Sequence, residues 1–347
     1  MTVRLKDIAR DLGVSVITVS KALRNHGDIS PATRARVLKR VKELNYRPNY
    51  AARALVTGRT HMMGLVVPDL LHAFHSEVAK GLAGALRKSG FTLLIASTDE
   101  DPENERQAID QFLARRVDAL LVASTQWSVE SFRRVEETGI PYILLDRNFA
   151  GLPANFVGVD DELVGRIATQ HLVDIGCRTI AHIGGLRISP ALGRLAGYKH
   201  VLAKHGLTLG PEYIVTHDQL DESAISAGYN ATLKLLKLNP RPDGIFCFSD
   251  VIAIGSMNAI FNEGLRIPED VAIVGCANVH YGDSLRVPLT SVDQQSLAIG
   301  QKAAQLAISL LESKGSTRPK TILLEPKLIV RNSTRKSAAT SKGAAAR

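Results

Sequence analysis

The chain has 347 residues, 45% hydrophobic and 22% charged, a globular composition too long for one ordinary core and suited to two or three domains. Its formal charge of +9 sits at the ends: residues 1–60 hold 13 Lys+Arg against 4 Asp+Glu, residues 335–347 hold four basic residues and no acidic one, and 61–334 hold 26 basic against 30 acidic. Cys177, Cys247 and Cys276 are too few and too scattered for a disulfide framework or paired zinc motif. With no apolar run of about 18 residues and no secretory-signal core at the N-terminus, the expectation is a cytoplasmic protein without a membrane partner.

Three short helices fit the first 45 residues. Lys6 to Leu12 puts Ile8, Ala9 and Leu12 on one face, and Gly13 supplies the turn. Ser15 is a good N-cap for a second helix whose Val19, Ala22 and Leu23 face inward. Ser30-Pro31 caps a third helix, which carries Val37, Val41 and Leu44 and ends at Tyr46-Arg47-Pro48. Asn49 then caps a very short helical run from Tyr50 to Val56.

From Met63 the texture changes to strands alternating with amphipathic helices. One series of strands is Gly64–Pro68, Thr92–Ser97, Ala119–Ser124 and Tyr142–Asp146, and a second is Ile180–Gly184, Tyr213–Thr216, Gly244–Ser249 and Val271–Gly275. The near-continuous apolar runs suit parallel strands covered on both faces. Four strands per series at βαβ spacing predict two doubly wound lobes, with a crevice at the C-terminal strand ends. Leu289–Asp293, a helix over 294–313, Thr321–Leu324 and Lys327–Val330 return the chain, and 335–347 reads as a disordered basic tail.

On the second helix, Val16, Ile17, Ser20, Lys21 and Arg24 lie opposite the inward face. Exposed Val16 and Ile17 at a helix start make little sense in water. Against DNA they can pack on thymine methyls, while Lys21 can reach guanine or a phosphate. A three-helix protein-interaction module is the bland alternative.

Residues 4–60 resemble the LacI family of bacterial repressors. The likeness runs through Leu5-Lys6-Asp7-Ile8-Ala9, Leu12-Gly13-Val14-Ser15, Thr18-Val19-Ser20-Lys21-Ala22-Leu23, Tyr46-Arg47-Pro48-Asn49, Ala52-Arg53-Ala54-Leu55 and Thr57-Gly58-Arg59-Thr60. It implies an all-α helix-turn-helix domain over 1–48, a hinge helix and linker over 49–60, and a two-lobed α/β core over 61–334 similar to periplasmic binding proteins. The resemblance makes Val16, Ile17 and Lys21 base contacts, with Ser15, Thr18, Ser20, Arg24 and Asn49 beside them. It makes Leu55 a minor-groove wedge with Arg53 as its companion. A seven-residue helix is too short to be stable alone in water, so its folding would be coupled to DNA binding.

The resemblance continues through the core, in Val66-Val67-Pro68-Asp69, Val157-Gly158-Val159-Asp160, Gly193-Arg194-Leu195-Ala196-Gly197 and Leu289-Thr290-Ser291-Val292-Asp293-Gln294, among other stretches. It implies a small ligand between the lobes, held by Phe74, Asp146, Arg194, Asp250 and Gln294, with His75 and Asn278 nearby. Such a set suits a sugar or sugar derivative: Asp146 and Asp250 accept from hydroxyls, Arg194 donates, and Phe74 stacks. Ala277 stands where family members commonly carry an aspartate, which implies a ligand with a deoxy, methyl or acidic group on that side. An aromatic wall near Gln219 is missing from the irregular stretch Asp218 to Gly228.

His72 and His75 can face one another, but without Cys or carboxylate partners they do not make a metal site, and no cofactor is implied. Phosphate-loop, nucleophile-elbow and dinucleotide fingerprints are absent, so the expectation is a regulator rather than an enzyme. Without C-terminal leucine heptads, a homodimer is the economical assembly. The operator, the effector and the sign of regulation stay open.

Overall fold

A computed structural model describes residues 3–335 except 24, 47–53, 55–57, 127–128, 186–187, 217–223 and 314–317. The chain divides into two compact units, Met1–Thr60 and His61–Arg347.

The first unit holds α1 (Leu5–Leu12), α2 (Val16–Leu23) and α3 (Pro31–Glu43). Gly13, at φ 63°, ends α1 in a left-handed turn that glycine adopts freely. Ser15 Oγ accepts from Thr18 N–H at 3.0 Å to start α2, and Ser30 Oγ accepts from Thr33 N–H at 3.2 Å ahead of Pro31 to start α3. Ile8, Ala9, Val19, Ala22 and Val37 form the small core. Arg40 bridges Asp11 and Glu43, and Arg36 Nη2 donates to the Leu12 carbonyl, tying α3 to α1.

The second unit is two α/β lobes. The first contains β1 (Met62–Val67), α4 (Ala73–Lys88), β2 (Thr92–Ser97), α5 (Pro102–Ala114), β3 (Ala119–Val122), α6 (Glu130–Thr138), β4 (Tyr142–Leu145) and β5 (Asn155–Val159). The second contains α7 (Asp161–Asp174), β6 (Ile180–Ile183), α8 (Ser189–Lys204), β7 (Ile214–Val215), α9 (Ala224–Leu235), β8 (Gly244–Cys247), α10 (Asp250–Asn262), β9 (Ala272–Cys276) and β10 (Thr290–Asp293). α11 (Ser296–Glu312) and β11 (Thr321–Leu324) then return to the first lobe, and β12 (Lys327–Ile329) ends in the second.

The sheet orders are β11-β5-β4-β3-β1-β2 and β12-β10-β9-β8-β6-β7. Every pairing is parallel except β12 against β10. Alternate residues of each strand feed opposite faces, as the pleat requires. Leu65, Leu121 and Ile143 face α4 and α11, while Val66, Leu120 and Leu144 meet Phe112 and Phe132 beneath α5 and α6. In the second lobe Ile180, Phe246 and Val274 face α7 and α8, and Ile183, Ile245 and Ile273 face α9 and α10.

Sheet membership departs from the sequence reading in four respects. Each sheet has six strands rather than four, because β5 was not expected and the returning segments supply the others. Thr92–Ser97 is not covered on both faces: it is an edge strand with Thr92, Ile95 and Ser97 exposed. Only Ile214–Val215 of Tyr213–Thr216 is strand, since Pro211–Tyr213 forms a 3₁₀ turn. Finally, 224–228 begins α9 rather than continuing an irregular loop; Gln219 and the tail 336–347 lie outside the described residues.

The helices α7 and α8 approach closely through Gly165 and Gly197. A Cβ on Gly165 would stand 2.9 Å from both C and Cα of Arg194 and nearer still to its oxygen. This close approach fixes where α8 carries Arg194.

Candidate functional site

On α2, Val16 and Ile17 are 44% and 66% exposed while Val19 and Ala22 are buried. Two large apolar side chains therefore face outward from the start of a capped helix, beside half-buried Ser20 and Lys21. Ser15 and Thr18 are occupied with each other, their hydroxyls 2.9 Å apart. The Lys21 ammonium is not free as the sequence left it; it pairs with Asp28. Arg24, Asn49, Arg53 and Leu55 lie outside the described residues.

In the core, the C-terminal ends of the strands and the start of α4 bring a polar cluster together between the lobes. Phe74 and His75 are 4% and 6% exposed. His75 Nδ1–H donates to the Asp69 carbonyl at 3.0 Å, and its ring lies 5.4 Å from those of both His72 and Phe74. Burial pushes both imidazoles below their usual pKa, so they stay neutral. Asp146 and Asp69 pull His72 the other way, with Arg147 and Arg194 opposing them.

Arg194, 3% exposed, is held on three sides. Its Nε donates to Asp161 Oδ1 at 3.0 Å, with Nη2 at 2.9 Å from the same oxygen. Nη1 donates to the Phe248 carbonyl at 2.7 Å, and the guanidinium lies 4.5 Å over the Phe248 ring. Burial pushes the Asp161 carboxyl up, with Arg194 drawing it back. Arg147 is similarly matched: Glu100 takes both its terminal nitrogens at 2.6 and 2.8 Å.

Asp146, at φ 59°, ends β4. Among the described residues its one side-chain contact is long, from Gln294 Nε2 to Oδ1 at 3.4 Å. Gln294 also accepts from Cys276 Sγ at 3.5 Å. Gln294 and Asp146 are thus in contact, and Asp146 and Arg194 both act on the neighbouring His72.

Asp250 and Asn278 behave differently. Asp250 is 1% exposed and accepts from Ser291 Oγ at 2.6 Å and from Val279 N–H at 2.8 Å. Burial, partly offset by those bonds, pushes its carboxyl up to about 6. Asp250 sits beneath the 276–279 turn, and each of its carboxylate oxygens already accepts one bond from the protein. Asn278 donates its N–H to Ser291 Oγ at 2.9 Å and accepts from Arg331 Nη2 at 2.7 Å. Ala277 lies between them, 3% exposed at φ 117°. Asp161 pairs with Arg194, which lessens the positive charge Arg194 offers to an acidic ligand group.

The sequence reading missed Asp161, Arg147, Glu100, Phe248 and Cys276, and weighed His72 only as a metal ligand. Asp160-Asp161-Glu162 reads as a helix start, and Asp160 does cap α7 by accepting from Leu163 N–H. Nothing local indicates that Asp161 pairs with a residue 33 positions on. Among the described residues, no His/Cys/Asp/Glu group could hold a metal, and no helix is long and apolar enough to cross a membrane.

An exposed apolar reading helix in one unit and a buried polar cluster between two α/β lobes in the other define a ligand-sensing DNA-binding regulator. The description "Bacterial regulatory proteins, lacI family" matches residues 4–49, and "Periplasmic binding protein-like domain" matches residues 169–334. A ribose operon repressor of Halalkalibacterium halodurans is 33% identical over 312 residues, covering 89% of this chain and 91% of its own. The structure of a CelR–cellobiose complex superposes with TM-score 0.72 at 30% identity, covering 95% of this chain and 99% of that one. A lac repressor dimer bound to operator and the anti-inducer ONPF gives 0.83 at 25%, covering 96% and 99%. The chain belongs to the LacI family and is a DNA-binding transcriptional regulator. Its relatives are regulators, not enzymes.

Proposed function

We propose that this protein is a homodimeric repressor whose operator affinity is set by a neutral, hydroxylated sugar bound between its lobes. The observation that carries the sugar is the uneven state of the cleft charges. Arg194 is spent on Asp161 and Arg147 on Glu100, and Asp250 is enclosed by Ser291 and Val279. Among the described residues Asp146 has one side-chain contact, at 3.4 Å, and so keeps most of its accepting capacity. A carboxylate with vacant lone pairs selects hydroxyl donors and repels acids. Phe74 supplies the stacking face, Gln294 and Arg194 supply donors, and Asn278 and Asp250 shape the wall. The cellobiose in the CelR complex and the ribose operon named for another relative accord with this class.

In this reading residues 1–48 read the major groove. Val16 and Ile17 pack on thymine methyls, Lys21 donates to a guanine edge, and Ser15, Thr18, Ser20 and Arg24 support them. Residues 49–60 form the hinge, with Asn49 and Arg53 on the backbone and Leu55 wedged into a base step. Residues 61–334 sense the ligand, and 335–347 form a basic tail. The dimer on operator in the lac repressor structure supports two-fold pairing of half-sites.

The test is a thermal-shift screen of neutral sugars against their acid and amine derivatives. It is followed by selection of genomic DNA fragments with and without each hit. A neutral sugar that stabilises the protein and changes fragment retention is expected; stabilisation by sugar acids alone would overturn the reading.

A further inference from the structure

Lys21 does not stand alone on the reading face. Its Nζ lies 2.5 Å from Asp28 Oδ2, and His26 Nδ1 lies 3.0 Å from Asp28 Oδ1. Asp28 belongs to the turn between α2 and α3, and that turn is pinned. The His26 N–H donates to the Lys21 carbonyl at 3.1 Å, and the His26 carbonyl accepts from Arg34 Nη2 at 2.7 Å. Asn25, at φ 57°, makes the bend. The Lys21 and Asp28 side chains remain 35% and 48% exposed, open to a third partner. The hydrogen bond from Lys21 is the main influence holding the Asp28 carboxyl below its usual range.

An exposed pair of this kind contributes little to folding, so its consequence lies elsewhere. A lysine is a compact charge on a flexible stem, and duplex DNA offers a phosphate about every 1.7 Å along its axis. Unrestrained, such a side chain finds phosphate on any sequence and discriminates poorly. Asp28 takes one of the three ammonium donors and fixes the direction of the other two. It also makes the pair electrically neutral, so a phosphate approaching Lys21 meets a carboxylate beside it. The O6 and N7 acceptors of guanine carry no net charge and escape that repulsion.

We infer that Asp28 is a specificity-determining positioning residue: it holds Lys21 for a base edge and withholds it from the phosphate backbone. The inference rests on the base-reading role given to Lys21 above. It adds that discrimination at that base depends on a residue of the turn, seven positions away, that itself contacts no base.

The test uses the full chain as wild type, Asp28→Asn, Asp28→Glu, Lys21→Ala and the Lys21→Ala/Asp28→Asn double variant. The duplexes are the palindrome that wild type selects from a random pool and a scrambled duplex of equal length. Affinities are measured from 50 to 200 mM salt. Asp28→Asn is expected to bind the scrambled duplex at least about threefold more tightly at low salt. It should also steepen the salt dependence by about one phosphate contact, a further loss of about 3.5-fold across that range. Preference at one base position per half-site should flatten, and Asp28→Glu should keep it. In the Lys21→Ala background, Asp28→Asn should not steepen the salt dependence. Equal tightening on both duplexes with base preference intact would reduce Asp28 to one surface charge and overturn the inference. If Lys21→Ala itself leaves base preference unchanged, the base-reading role fails first and the inference with it.

Discussion

Gly165→Ala tests whether the close approach of α7 and α8 governs the ligand cleft. The new Cβ would stand 2.9 Å from C and Cα of Arg194, where carbon pairs settle at about 3.5–4.0 Å. Because the Arg194 oxygen lies nearer still, α8 must back away by about 1 Å or more at that point. Overpacking of this kind costs about 1–3 kcal/mol, and each kcal/mol lowers Tm by about 2–4 °C in a domain of this size. The displacement has a second effect. Arg194 and Asp161 lie on the two separating helices at 2.9–3.0 Å, and adding about an ångström takes those bonds beyond hydrogen-bonding range. Donors to a charged group are worth about 1.5–3 kcal/mol each, so sugar affinity should fall roughly 10- to 100-fold. Gly255→Ala is the control, because its Cβ would meet Ile225 C and Tyr229 N at the same 2.9 Å, and of the cleft residues α9 and α10 bring only Asp250, which forms wall and donates nothing to the sugar. Calorimetry with the sugar found by the thermal screen, together with melting curves, reads both effects. Gly165→Ala that melts earlier yet binds sugar as wild type does would refute the reasoning, and so would an equal affinity loss in Gly255→Ala.

Further outcomes follow from individual residues. Asp250, raised by burial from 3.8 to about 6, favours its protonated form in the folded state. Its contribution to stability is therefore fully present below about pH 4 and lost as pH rises through about 6, and the wild-type Tm measured relative to Asp250→Asn should decline between pH 4 and 7. Ala277→Asp buries a carboxylate in a site now 3% exposed, which should cost about 3 kcal/mol or more by denaturant titration and weaken sugar binding; unchanged binding would show that Ala277 lies apart from the ligand. Ile17→Ser removes a 66% exposed side chain, so Tm should hold within the scatter of surface substitutions, while operator affinity falls by about 1–3 kcal/mol, the usual cost of one mismatched base pair. Deleting residues 1–60 should abolish DNA retardation and leave sugar binding intact; a truncated core that still retards operator would contradict the assignment of the basic charge.

Much of this protein is written locally. Ser15 and Ser30 cap helices through bonds spanning three residues, and Ile8, Val19 and Val37 are buried at positions where helical periodicity places them. The exposure of Val16 and Ile17 follows from the same periodicity. The apolar runs of β1, β3, β4, β8 and β9 are equally plain, because a strand buried on both faces must be apolar throughout. β5 is less legible: Asn155 and Gly158 interrupt its run, and only pairing with β4 and β11 makes it a central strand. Sheet order was beyond local pattern altogether, since β11 joins a strand more than 160 residues earlier. The cleft divides on the same line. Residue types announced a polar site, but the partners of its charges come from distant segments. Asp161 on α7 neutralises Arg194 on α8, Glu100 neutralises Arg147, and the 276–279 turn consumes Asp250. A cap or a periodic face is settled by neighbours a few residues away, whereas the charge left over for a ligand depends on which side chains the packed lobes bring within 3 Å of one another.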